Sequence, residues 1–108
     1  GVGLGELVDA VAASGLALVA APYWEGISLG GLLSTGSHGS SLWGRGGALH
    51  EYVVSLPLVV PASPREGYAK VVTLREGDPD LSAANVSLGV LGVISKVRIF
   101  RGTLLCFL

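Results

Sequence analysis

The residues best suited to chemistry lie between positions 30 and 47, where the sequence reads GGLLSTGSHGSSLWGRGG and seven of eighteen residues are glycine. Glycine admits positive φ and lets another group approach the main chain, at an entropic cost that folded chains incur for tight turns or ligands. Successive main-chain N–H groups, with the hydroxyls of Ser34, Thr35, Ser37, Ser40 and Ser41, would form a concave nest for an anion. Arg45 is the one cation in the stretch, so such an anion would be held largely by dipoles. No Walker lysine follows a glycine, which excludes a nucleotide-hydrolysing P-loop. A diphosphate cofactor that is retained and not cleaved suits these groups. On composition alone, a loose Gly/Ser surface loop suits them equally well.

Other chemical candidates are weaker. GVGLGE at the start imitates a dinucleotide fingerprint, but its third glycine comes early and no strand precedes it. His50-Glu51 could open a zinc-protease motif, yet Val54 stands where the second histidine belongs. Ser37-His38-Gly39-Ser40 places serines beside a histidine without a nucleophile-elbow pattern. Glu76, Asp78 and Asp80 could attract a cation, but their place before a helix start favours capping and dipole complementation.

These residues sit in a chain of 108, which bounds the answer at one small domain. Half of it is hydrophobic and only 14% is charged, poor in charge for a free-standing domain. With Gly1 instead of methionine at its start, this favours a piece of a larger protein. A net charge of −1 and the lack of any basic run exclude nucleic acid as a partner. The single cysteine, Cys106, rules out an internal disulfide framework and any multi-cysteine metal site. The apolar GLALVAA is too short to span a bilayer.

The elements that must position the glycine loop read as follows. Leu7, Val8, Val11 and Ala12 recur at helical spacing over residues 5–14, with Gly15 as the stop. LALVA is a short strand or extended segment ending before Pro22. Ser28 caps a short helix over residues 29–33, and the loop follows. Residues 51–60 and 68–77 form two strands of a hairpin, with Pro57 indicating an edge position or a bulge. Asp78-Pro79 starts a helix through Leu81, Ala84 and Asn85 towards Leu88, and a period-two strand closes the order. The fold class is α+β.

GGLLSTGSHGSS, together with VSLGVLGVISKV some fifty residues later, resembles the FAD-binding domain of the vanillyl-alcohol-oxidase (PCMH) type. The text between the motifs is similar to the plant L-gulono-1,4-lactone oxidase-like group, and the resemblance runs from residue 4 to about 99. It implies part of that domain, mainly its second subdomain, over residues 1–100, and a divergent tail, RGTLLCFL, over 101–108. It also implies FAD, with Ser34, Gly36, His38, Gly39, Ser40 and Ser41 at the diphosphate and ribityl region and Gly92 and Ile94 at the adenine end. His38 either contacts FAD or ties the loop to itself through both ring nitrogens. The family reaction would be hydride removal from a sugar 1,4-lactone to flavin and reoxidation by O2 to H2O2, linked to ascorbate formation. The flavin-linking subdomain and the substrate cap would lie in missing domains of the same chain, so no catalytic residue is named. The secretory pathway or a membrane association would fit the resemblance. The alternative is a truncated, non-catalytic flavin-fold binding module.

Overall fold

The computed structural model describes residues 1–42 and 46–99. Helix α1 (Leu4–Ala13) starts where the Glu6 carboxylate accepts the Gly3 N–H at 2.7 Å, satisfying one orphan donor of the first turn. Leu4 is fully buried and Leu7 and Val8 pack beside it, whereas Ala12 faces solvent. The helix ends as the sequence indicates. Gly15 takes φ 71°, its N–H bonds the Ala12 carbonyl at 2.9 Å, and Leu16 N–H reaches Val11 at 3.1 Å. This is a Schellman stop, and only glycine enters it without strain. Residues 16–20 form no strand and bend at Val19.

Helix α2 (Leu29–Ser34) begins at Ser28, whose Oγ accepts the Gly31 N–H at 3.1 Å. Two main-chain bonds, Leu4 N–H to Ile27 and Leu29 N–H to Val2, clip the N-terminal segment beside that start. Leu32 and Leu33 are fully buried. A 3-10 turn (Leu49–Tyr52) then leads into the sheet.

Strand β1 (Val53–Pro61) pairs antiparallel with β2 (Ala69–Arg75) on one side and with β3 (Val93–Ile94) and β4 (Arg98–Ile99) on the other. Pro57 is therefore not on an edge. Its carbonyl faces the β3–β4 side, where it accepts the Ser95 N–H at 3.1 Å, so its missing donor falls in the gap between the two short strands. Proline interrupts the ladder where the partner strand is itself interrupted. A bulge lies between Val53 and Ser55, which oppose Ile99 and Arg98. It shifts the side-chain phase, so Val53 joins Leu56 and Leu58 in the core while Ser55 points outward.

Helix α3 (Pro79–Asn85) covers the inner sheet face with Leu81 and Ala84. It ends at Asn85, short of Leu88. Asp78 occupies the N-cap position, but its carboxylate accepts the Arg75 N–H at 2.6 Å and closes the turn from β2. The core is Leu4, Leu32, Leu33, Leu49, Val53, Leu56, Leu58, Leu81 and Ala84. No helix of the described residues is long and apolar enough to cross a membrane.

The hairpin turn carries a pH-sensitive clasp. Glu66 accepts from Lys70 Nζ at 2.9 Å, from Ser63 Oγ at 2.9 Å and from Ser63 N–H at 3.2 Å. The lysine hydrogen bond, followed by those from Ser63, lowers the Glu66 pKa from 4.5 to about 2. A lowered carboxylate pKa stabilises the folded turn above the unfolded value, and that stabilisation is lost as pH falls through about 2. An NMR titration should place the Glu66 midpoint near 2, and Lys70→Met should move it up. An ordinary midpoint in the parent chain would contradict the clasp.

Candidate functional site

The loop after α2 is built from helix-stopping and strand-pairing groups. Gly36 has φ 66°, its N–H bonds Leu33 and the Ser37 N–H bonds Leu32 at 3.0 Å, forming a second Schellman stop. Thr35 Oγ1 turns back onto the Gly31 carbonyl at 2.8 Å and sits 3.0 Å from Ser37 Oγ, so both hydroxyls serve the loop itself. Further on, the Gly39 N–H bonds the Gly47 carbonyl at 2.9 Å and His38 bridges Ala48. The two arms approach so closely that a Cβ on Gly47 would lie 2.7 Å from the Gly39 oxygen.

Tyr52 pins the far arm. Its buried hydroxyl donates to the Gly46 carbonyl at 2.9 Å, and the Glu51 carboxylate accepts the Ala48 N–H at 3.0 Å. Neither anchor is visible in the sequence, because both lie downstream of the loop in what reads as the start of a strand. Tyr52→Phe should lower stability by about 1 kcal/mol, the usual net worth of one such bond, measured by urea unfolding. An unchanged midpoint would remove Tyr52 as an anchor.

The expected FAD residues divide into a group running from the C-terminal end of α2 and a pair, Gly92 and Ile94, beside strand β1. Ser34 is the last helical residue, half-buried, and its carbonyl accepts the Leu88 N–H at 2.9 Å. A Cβ on Gly36 would meet Val86 Cγ1 at 3.2 Å, so its helix-stop role is joined by close packing. His38 is exposed and bonds through Nδ1 to the Gly39 carbonyl at 2.9 Å. That acceptor fixes the proton on Nδ1 and leaves Nε2 as the free lone pair of the neutral ring. Gly39 faces the protein's own main chain: a Cβ there would lie 2.9 Å from the Ala21 carbonyl carbon and 3.1 Å from its nitrogen. Ser40 is exposed and Ser41 half-buried. Arg45 lies outside the described residues, as does the tail over 101–108 with Cys106.

Gly92 is explained within the sheet, since a Cβ would sit 2.7 Å from the Val59 oxygen. Ile94 pairs with Leu58 and packs on the core. With Val2, Ser28, Leu29 and Gly30 it also lines a hollow of about 420 Å³ at the start of α2. Ser28 and Gly30 thus join the candidate residues. In the sequence Ser28 shows only as a helix cap, and the open space around Gly30, with nothing within 4 Å of a Cβ, is a property of the fold.

A second hollow of about 500 Å³, lined by His50, Glu51, Glu76, Asp78 and Asn85, takes in two of the three acids considered for a cation, whereas Asp80 lines a different hollow with Leu58, Leu74 and Ala84. Asp78 is engaged in its turn and Asn85 Nδ2 donates to the His50 carbonyl at 3.1 Å. Among the described residues no group of three or more His, Cys, Asp or Glu could hold a metal ion.

The second glycine motif therefore wraps α2: Val86 lies on Gly36, Leu88 bonds Ser34, and Ile94 reaches the Ser28 end. The chain is similar to known proteins in sequence and in fold. L-gulonolactone oxidase 3 of Arabidopsis thaliana is 59% identical over 101 residues, covering 92% of this chain and 17% of that protein. The mitochondrial L-galactono-1,4-lactone dehydrogenase 1 of Oryza sativa subsp. japonica is 35% identical over 100 residues. A solvent-stable cholesterol oxidase superposes with a TM-score of 0.74 at 23% identity, covering 87% of this chain and 19% of its own. No family model matches. The chain spans about a sixth of the length of the curated relatives it matches. In fold the chain matches one segment of a PCMH-type domain, and in sequence it is similar to one segment of the plant L-gulonolactone oxidases.

Proposed function

We propose that this chain is the part of an FAD-dependent sugar-lactone oxidoreductase that holds the diphosphate and adenine end of the cofactor. The observation that carries this reading is the placement of both glycine motifs around α2, in a segment 59% identical to a gulonolactone oxidase. FAD, when bound, would accept hydride from the lactone carbon and pass electrons on to O2, giving H2O2. Ser34, Gly36, His38, Gly39, Ser40 and Ser41 would border the diphosphate and ribityl region, and Gly92 and Ile94 the adenine end.

The fit has a definite character. Gly36, Gly39 and Gly92 are committed to the chain's own packing, so their part is to shape the cradle. The groups turned outward are His38 and Ser40, and Gly30 opens the adenine-side hollow. His38 would act through Nε2 or by holding the loop, and it would carry no covalent flavin.

The test is flavin content in a full-length protein that contains this segment, with turnover on gulono-1,4-lactone followed by H2O2. Ser40→Ala and Gly30→Val should each reduce flavin per protein without unfolding it. Peptide mapping after acid precipitation should find no adduct at His38. The 108-residue chain alone should neither retain FAD tightly nor turn over, because positioning the reacting carbon against flavin is worth roughly 7–11 kcal/mol of barrier and needs groups from elsewhere. A full-length protein that folds without flavin would leave the non-catalytic binding module as the better reading.

A further inference from the structure

We propose that the outer face of the sheet carries an anion site of its own, which holds a phosphate group between Arg75 and Arg98 across Ser55. The strand register builds it. Ser55 on the central strand stands opposite Arg75 on β2 and opposite Arg98 on β4, so the three form one row across the sheet. The bulge beside Val53 gives this row its outward phase: Ile99, next to Arg98, packs on the core. The next row places Thr73 opposite Pro57, whose other flank is held by Ser95 N–H and Oγ, each 3.1 Å from the Pro57 carbonyl. Lys96 follows immediately and lines the same groove.

The groove so formed has a volume of about 200 Å³ and is lined by Ser55, Pro57, Thr73, Arg75, Lys96 and Arg98. Its floor is made of small residues and its walls of three cations with a threonine hydroxyl. Strands about 4.8 Å apart root the two arginines roughly 10 Å from one another, a gap that two guanidinium arms can close on one oxyanion. No acid lines the groove. Among the described residues none of the three cations has an ion-pair partner, while Lys70 outside the groove has Glu66 at 2.9 Å. Three uncompensated like charges in one groove repel, and a dianion removes that repulsion. Planar guanidinium forks match phosphate oxygens two at a time, and the hydroxyls of Ser55 and Thr73 supply further donors. The volume is below the roughly 300 Å³ at which pockets begin to enclose whole cofactors or drug-sized ligands. The ligand is thus a phosphate group, free or on a small metabolite. The site shares Lys96 with the rim of the adenine-side hollow but none of its loop residues.

The test is a titration of the 108-residue chain with inorganic phosphate at constant ionic strength, followed by amide chemical shifts and calorimetry. A parallel arm uses glycerol phosphate to separate a free ion from an esterified one. Saturable one-site binding is expected, with shifts centred on residues 55, 73, 75, 96 and 98. Arg75→Gln and Arg98→Gln should each weaken it at least tenfold, and Lys70→Gln should leave it unchanged. Both arginines are exposed, so their loss should not unfold the chain. Shifts that grow linearly without saturation, or that chloride reproduces, would overturn the site. So would loss of phosphate binding when a flavin-retaining full-length protein is loaded with FAD, since the groove would then belong to the cofactor. That last outcome leaves the flavin reading intact, so the two proposals fail separately.

Discussion

Gly39→Val should destabilise the fold by about 3 kcal/mol and empty a full-length protein of flavin, the larger consequence following from the first. A Cβ at this position points into the main chain of Ala21, with the carbonyl carbon at 2.9 Å and the nitrogen at 3.1 Å. Backbone cannot rotate away as a side chain can. The loop arm would have to shift, breaking the Gly39 N–H bond to Gly47 and withdrawing His38 from Ala48. Steric exclusion by the diphosphate, which the sequence pattern suggests for this glycine, is not needed to explain the effect. Urea unfolding of the chain separates the two causes, because the 108 residues alone contain Ala21 and Gly39 but no cofactor. A midpoint equal to that of the parent would return Gly39 to a purely ligand-facing role.

Leu56→Ala should cost 2–5 kcal/mol, a large fraction of the 5–15 kcal/mol that holds an ordinary domain together. Leu56 is fully buried in the middle of the central strand, between Leu58 and Val53 in the inward-facing set. Val71, on the outer face, is 62% exposed, and Val71→Thr should change stability by no more than about 0.5 kcal/mol. The pair tests which face of the sheet is packed. Comparable losses at the two positions would show that the outer face is as tightly packed as the inner one.

Much of the architecture was legible in the sequence because its signals are local. Ser28 and Gly15 mark helix ends through hydrogen bonds made within a few residues, and the hairpin follows from two β-branched runs around a Pro/Gly turn. Pro57 misleads because the sequence shows a missing donor but not what stands opposite. Here the flanking strand breaks at the same height, and the proline sits at the centre of the sheet. The glycine loop shows the same limit at the site. Seven glycines announce close approach, yet a close neighbour can be a ligand or the chain's own main chain. For Gly39 and Gly47 it is the main chain; for Gly30 the space is open. Tyr52 was missed because its hydroxyl reaches back to Gly46 through a 3-10 turn, where the sequence reads as strand.

The hairpin tip lies beyond the reach of the helices. Residues 63–71 are exposed, whereas Leu56 and Leu58 on the strand that leads into the turn are buried. One ladder thus runs from the core into solvent, and its amides should not open together. Those near Ala62 and Tyr68, joined by a single 2.9 Å bond past the end of β1, should exchange with deuterium through brief local fraying. Those of Leu56 and Leu58, which point to β2 under α3, should exchange only when the whole chain opens. The hairpin would then be a graded hinge whose outer half can bend against a neighbouring surface while the half beneath α3 stays fixed.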